Sequence, residues 1–294
     1  MAGALALLLG IGFATSPPQI HPPEDAEVRQ CREWIAGHSQ RPGAKMALSM
    51  LLSRRTLCFD GSIYASTLKE ALGWADAIAK NPTGRPRFVV RSPGGDADAA
   101  MEFAETLQRL DAEVTVVDYC MSSCANYFFA ALPRRRVTDG ALLLFHGGYS
   151  AGDRPMHAAW LDQALRDPAL ARSVGDPVRW RENELKRFDR SVDRQNALYR
   201  RAGVDARVVT GIPSVDEEAI PASDCGARKG AKRAFLFFDA KQLRRLGIAV
   251  EDGRPETDPV EADRRLAGFG FSFTACAAPA AFFDARPGQG RLSQ

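Results

Sequence analysis

"EVTVVDYCMSSCANYFFAAL", residues 113–132, passes from a valine-rich run to a helix-like run through two serines set between two cysteines. Val114, Val116 and Val117 suit a buried strand, and the apolar residues from Ala125 to Leu132 suit a packed helix. A serine at such a junction has two uses. Its hydroxyl can cap the helix. Alternatively, its Oγ can be presented as a nucleophile beside the free backbone amides of the helix N-terminus.

The segments around this junction repeat its pattern. Upstream, "RFVVRS" (87–92) is a short apolar strand bounded by turn signals, as a buried parallel strand would be. "SPGGDADAAMEFAETLQRL" (92–110) follows as a tight Pro-Gly-Gly turn and a helix that Asp96 or Asp98 can cap. That helix carries Ala97, Ala100, Met101, Ala104, Leu107 and Leu110 on one side. Earlier still, Thr56–Phe59 reads as a strand ending in an Asp-Gly turn, and Ser66–Ala79 has helical spacing. Downstream, "LPRRRVTDG" reads as a loop with Arg134–Arg136 solvated, and "ALLLFHGG" as a strand ending at His146. Strand and helix patterns alternate four times in about ninety residues. The predicted architecture is therefore α/β, with a mostly parallel sheet and flanking helices. Sites in such sheets form beyond the carboxyl ends of strands, which here are "SPGGD", "CMSSC" and "FHGG".

The chain of 294 residues, 45% hydrophobic, is long enough for one sizeable domain with extensions. Its net charge of +3 comes from interspersed charges, so it has no nucleic-acid footprint. Ala2–Ala14 is apolar and uncharged, too short to span a bilayer, which takes ~20 residues. It fits the apolar region of a signal peptide, although the basic segment that normally precedes one is missing. An uncleaved anchor is the other reading, and only that reading brings the chain to a membrane. The expected division is a signal peptide at 1–16, a linker and helix at 17–55, a catalytic domain at 56–250 and a partly ordered tail at 251–294. Within the domain, 182–201 is a charged helix with a stripe of Leu185, Phe188, Val192 and Tyr199, suited to the sheet or to a second subunit. Export predicts a periplasmic or secreted protein and permits disulfides among the six cysteines. Six cysteines allow fifteen pairings, and Cys120 and Cys124 are locally close enough to bridge. A metal pair is the alternative for these two, but no nearby His or second cysteine pair has zinc-ligand spacing, and neither metal nor cofactor is expected.

A serine nucleophile needs a base within hydrogen-bond reach and donors for the oxyanion. The chain supplies candidates for each in order. "LCFDGSI", "RFVVRSPGGDADAAMEF", "VTVVDYCMSSCANYFFAAL" and "LLLFHGG" together resemble the proteolytic subunit of Clp protease, within the Clp/crotonase superfamily, and its exported serine-protease branch in particular. The resemblance covers Thr56–Gly148 and extends more weakly to about Val250. It implies a repeated β-β-α spiral, with Ser123 as nucleophile, His146 as base, and the Gly95 and Cys124 amides as the oxyanion hole. Ser122 is the fallback nucleophile and His157 the rival base. Gly95 and Ser123 are 28 residues apart, and Ser123 and His146 are 23 apart, close to the family pattern. The family's acid falls where this chain has a long loop, with Asp216 first, then Asp224 and Glu217, or none. The implied activity is hydrolysis of peptides or unfolded polypeptides through an acyl-enzyme. A homo-oligomer is also implied. Two alternatives keep the fold: a catalytically inactive binding protein, and a crotonase-type acyl-CoA enzyme. The second conflicts with export, because its thioester cofactor is cytosolic.

Overall fold

The computed structural model describes residues 25–38, 47–82, 84–212 and 220–283. The signal-peptide segment, 1–16, lies outside them. α1 (Ala26–Gly37) starts at Asp25, whose carboxylate accepts the Glu27 N–H. β1 (Ala47–Ser53) and β2 (Thr56–Gly61) form an antiparallel pair. α2 (Lys69–Lys80), β3 (Arg87–Ser92), α3 (Ala97–Arg109) and β4 (Glu113–Met121) follow in alternation. A π-helical turn (Cys124–Phe129) leads to β5 (Arg134–Val137) and β6 (Leu142–Leu144). Four helices come next: α4 (Arg154–Ala164), α5 (Pro168–Ser173), α6 (Pro177–Ala202) and α7 (Arg207–Thr210). The described chain closes with β7 (Lys232–Phe237), α8 (Ala240–Arg245), α9 (Pro259–Gly268) and β8 (Phe273–Ala277).

The central sheet runs β1-β2-β3-β4-β5, parallel from β2 onward, with β6 also paired to β4. This is the α/β architecture with a mostly parallel sheet expected from the alternating pattern. Alternate residues of the strands face opposite layers. Leu57, Phe59, Phe88, Val90, Val114 and Val116 pack with α2, α3 and the π-turn in the main core. Cys58, Val89 and Val117 face the other way and are covered by Val28, Cys31 and Ile35 of α1. A Cys31–Cys58 disulfide fixes that cover to β2. Both faces are thus buried, which is why these strands read as continuous apolar runs.

β4 positions the site. Its first half pairs with β5 at Glu113–Val116, and its second half pairs with β6 at Tyr119–Met121. Between the halves, Asp118 takes a left-handed backbone with φ 55°. The register against β3 slips at the same point, from Val90–Val116 to Ser92–Cys120. The bend carries Met121 and the residues after it toward β6. Phe145, just past β6, exchanges two backbone hydrogen bonds of 2.8 Å with Leu236 of β7.

Three expectations change. Residues 17–55, expected to be a linker and a helix, also supply edge strand β1. Its burial is intermediate or low throughout, so it has no clear apolar alternation to read. Arg134–Arg136 is not a solvated loop but strand β5. Arg135 is buried and donates to the carbonyls of Phe129 and Ala130, where the π-turn ends. Finally, the expected tail from 251 is part of the fold through residue 283. α9 packs on β8, β8 pairs in parallel with β7, and a Cys225–Cys276 disulfide joins the two regions. The charged helix, now α6, does bury Leu185, Phe188, Val192 and Tyr199.

Candidate active site

β4 ends and the π-turn begins at Ser122 and Ser123, and the two serines have different surroundings. Ser122 has a left-handed backbone with φ 57°. Its N–H donates to Leu144 O at 2.9 Å, and its carbonyl accepts from Asn126 N at 2.8 Å. The chain thus reverses within one residue, held to β6 on one side and to the helical turn on the other. In this conformation Ser122 is half-buried and its Oγ lies 2.5 Å from His146 Nε2. Ser123 is 3% exposed, and its Oγ accepts the Gly95 N–H at 2.8 Å. The expectation that Ser123 faces His146 is therefore corrected: the partner is Ser122. The reason is the left-handed turn, which points consecutive side chains in different directions.

Gly94 and Gly95 explain why this turn must meet glycine. Gly94 has φ 90°, and a Cβ there would sit 2.5 Å from Ser122 Cβ and 2.6 Å from Met121 O. Gly95 has φ 154°, and a Cβ would collide with the Ile63 carbonyl. Ile63 N–H donates to Gly94 O, and Asp96 N–H donates to Ile63 O, so the turn is bracketed on its other flank. Asp96 then caps α3 by accepting the Ala99 N–H at 2.7 Å.

His146 follows β6. Its Nδ1 is 2.8 Å from Gly147 O, a contact that only an Nδ1–H can satisfy as a hydrogen bond. That tautomer leaves the Nε2 lone pair for the Ser122 hydroxyl proton. Phe235 of β7 packs its ring at 62° to the imidazole, with centroids 5.4 Å apart. Burial lowers the pKa of His146 from its ordinary value, and the Gly147 carbonyl opposes this. Neutral imidazole, the form that can accept a proton, is favoured.

No carboxylate among the described residues hydrogen-bonds the imidazole. Asp224 sits in a short turn and accepts the Ser223 hydroxyl at 3.1 Å. Asp216 and Glu217 lie outside the described residues. His157 is on α4, stacked on Phe188 at 4.7 Å and on Trp160 at 5.8 Å, and is not part of this pair.

Around the pair is a cleft of about 210 Å³, walled by Gly95, Ala97, Asn126, Tyr127 and the Gly147–Tyr149 segment. Asn126 had no sequence role, yet its Nδ2 donates to His146 O at 3.1 Å. Its Oδ1 is buried without a partner, an orientation fixed because the reverse would face oxygen to oxygen. A single amide in an apolar helix run is the signal that could have found it. Gln195 of α6 is similar. Its Nε2 donates to Tyr149 O at 2.7 Å, and its Oε1 accepts from Tyr149 N at 3.0 Å and Tyr127 OH at 2.9 Å. α6 thereby clamps the segment that follows His146.

No protein-family model and no curated protein matches the chain. Other evidence comes from the cysteines. Cys120–Cys124 closes a four-residue span around the serine turn, as the sequence allowed. With Cys31–Cys58 and Cys225–Cys276, it marks a chain of an oxidising, extracytoplasmic environment. Among the described residues, no helix is long and apolar enough to cross a membrane.

Proposed function

We propose that the chain is an exported serine peptidase of the Clp/crotonase type, periplasmic or secreted, with Ser122 as its nucleophile. The observation that carries this reading is the 2.5 Å contact between Ser122 Oγ and His146 Nε2, made at a strand-to-helix turn. The bent β4, shared between two neighbouring strands, accords with the spiral of that family, as does the position of the glycine turn. The nucleophile is displaced by one residue from the resemblance, and with it the oxyanion amide moves from Cys124 to Ser123.

The geometry suits acyl transfer to a serine. As Ser122 Oγ bonds to the scissile carbonyl carbon, its proton passes to His146 Nε2. The carbonyl π pair moves onto oxygen, beside the Ser123 amide at the start of the helical turn. When the C–N bond breaks, the imidazolium returns the proton to the leaving amine. Water then repeats the sequence on the acyl-enzyme, releasing the acid and free Ser122. Gly147 O holds the base tautomer, the orienting part of an acid's role, but without a full negative charge facing the imidazolium. Peptides and unfolded segments are the proposed substrates, since a small open cleft admits an extended chain rather than a folded surface.

Hydrolysis of fluorescein-labelled casein tests this. Wild type is expected to cleave it, and Ser122→Ala and His146→Ala are each expected to lose at least ~10³-fold in rate. Undiminished cleavage by Ser122→Ala would remove the assignment.

A further inference from the structure

We propose that Ser123 is a catalytic residue whose hydroxyl, backed by the Gly95 amide, donates to the oxyanion. The inference rests on the peptidase reading above and concerns how its negative charge is held.

A serine at the start of a helical turn ordinarily accepts a backbone N–H of that turn, and Ser123 makes no such cap. Its Oγ instead accepts Gly95 N–H across the cleft at 2.8 Å. Among the described residues, its hydroxyl proton meets no acceptor, although the side chain is almost wholly enclosed. A buried donor left unpaired is costly, and here it lies in the wall of the cleft beside Ser122. A substrate carbonyl oxygen held there would satisfy it.

The arrangement also limits Gly95. An N–H has one well-aligned acceptor, so while Ser123 Oγ holds it, the Gly95 amide does not reach the oxyanion directly. It acts through the hydroxyl, because accepting one hydrogen bond makes an O–H a stronger donor. As charge develops on the carbonyl oxygen, the O–H···O contact becomes charge-assisted and shortens. No proton is transferred, and the Ser123 backbone N–H supplies the second donor. One residue then contributes both donors, with Gly95 polarising one of them.

The test is Ser123→Ala against wild type on a fluorogenic casein-derived peptide, with melting temperature measured on both. The expected result is a fall in kcat of about 10²-fold, with KM and melting temperature nearly unchanged. Ser123→Cys, close to isosteric but a poor donor, should fall in the same direction and decides the matter if the alanine variant unfolds. A rate equal to or above wild type in the folded variants would overturn the proposal, the hydroxyl then being only an occupant of Gly95's amide. A wild type that does not cleave, and does not react with a fluorophosphonate, would instead overturn the peptidase reading and this inference with it.

Discussion

Ser122 holds an unfavourable conformation. A non-glycine residue with φ 57° costs about 1 kcal/mol, and that cost is carried by two backbone hydrogen bonds and by the turn packed against Gly94. The sequence made the turn legible, through "SPGGD" before it and "FHGG" after it. It did not make the choice of serine legible. Ser122 and Ser123 are chemically identical and adjacent, and only the left-handed dihedral separates one facing His146 from one facing Gly95. His146 yields a prediction at the same scale. Burial lowers its pKa, so its neutral form persists to lower pH than that of an exposed histidine. The acidic limb of kcat/KM against pH should therefore have its midpoint below the ordinary value of about 6.5. A midpoint above that value would mean that a negative charge faces the imidazole and outweighs its burial.

The π-helical turn shows how an element can be partly legible. The apolar run after Ser123 predicts a helix, and Cys124–Phe129 is helical and wholly buried. Its length was not legible, because its end depends on a residue outside it. Arg135 of β5 reaches back and donates to Phe129 O at 2.9 Å and Ala130 O at 2.7 Å. Burial pushes the guanidinium pKa down to about 10, partly offset by Glu251, so it is still charged at neutral pH. Three arginines in a row suggest solvent, yet only the middle one faces inward, as strand alternation requires. Arg135→Met should leave both carbonyls unpaired and cost ~2–4 kcal/mol. Thermal or urea unfolding measures this, and a variant as stable as wild type would show that the contacts hold the turn only weakly.

At the scale of the whole molecule, alternation of strand and helix made the α/β sheet legible, because each crossover keeps strand and helix signals close in sequence. The pairing of β7 with β8 was not legible, because their residues lie about forty apart and the segment between is charged and loop-rich. The Cys225–Cys276 bridge, with a separation of 51 residues, supplies what short-range pattern does not. A loop of that size restrains the unfolded chain by ~4 kcal/mol in the chain-entropy account. The four-residue Cys120–Cys124 bridge restrains it much less, and its effect is local, holding the end of β4 to the turn that presents Ser122. The most direct measurement reacts the folded, oxidised protein with a fluorophosphonate and locates the adduct by fragment mass spectrometry. The adduct is expected on Ser122, and His146→Ala should abolish it. An adduct on Ser123, or a folded wild type that takes none, would contradict the account.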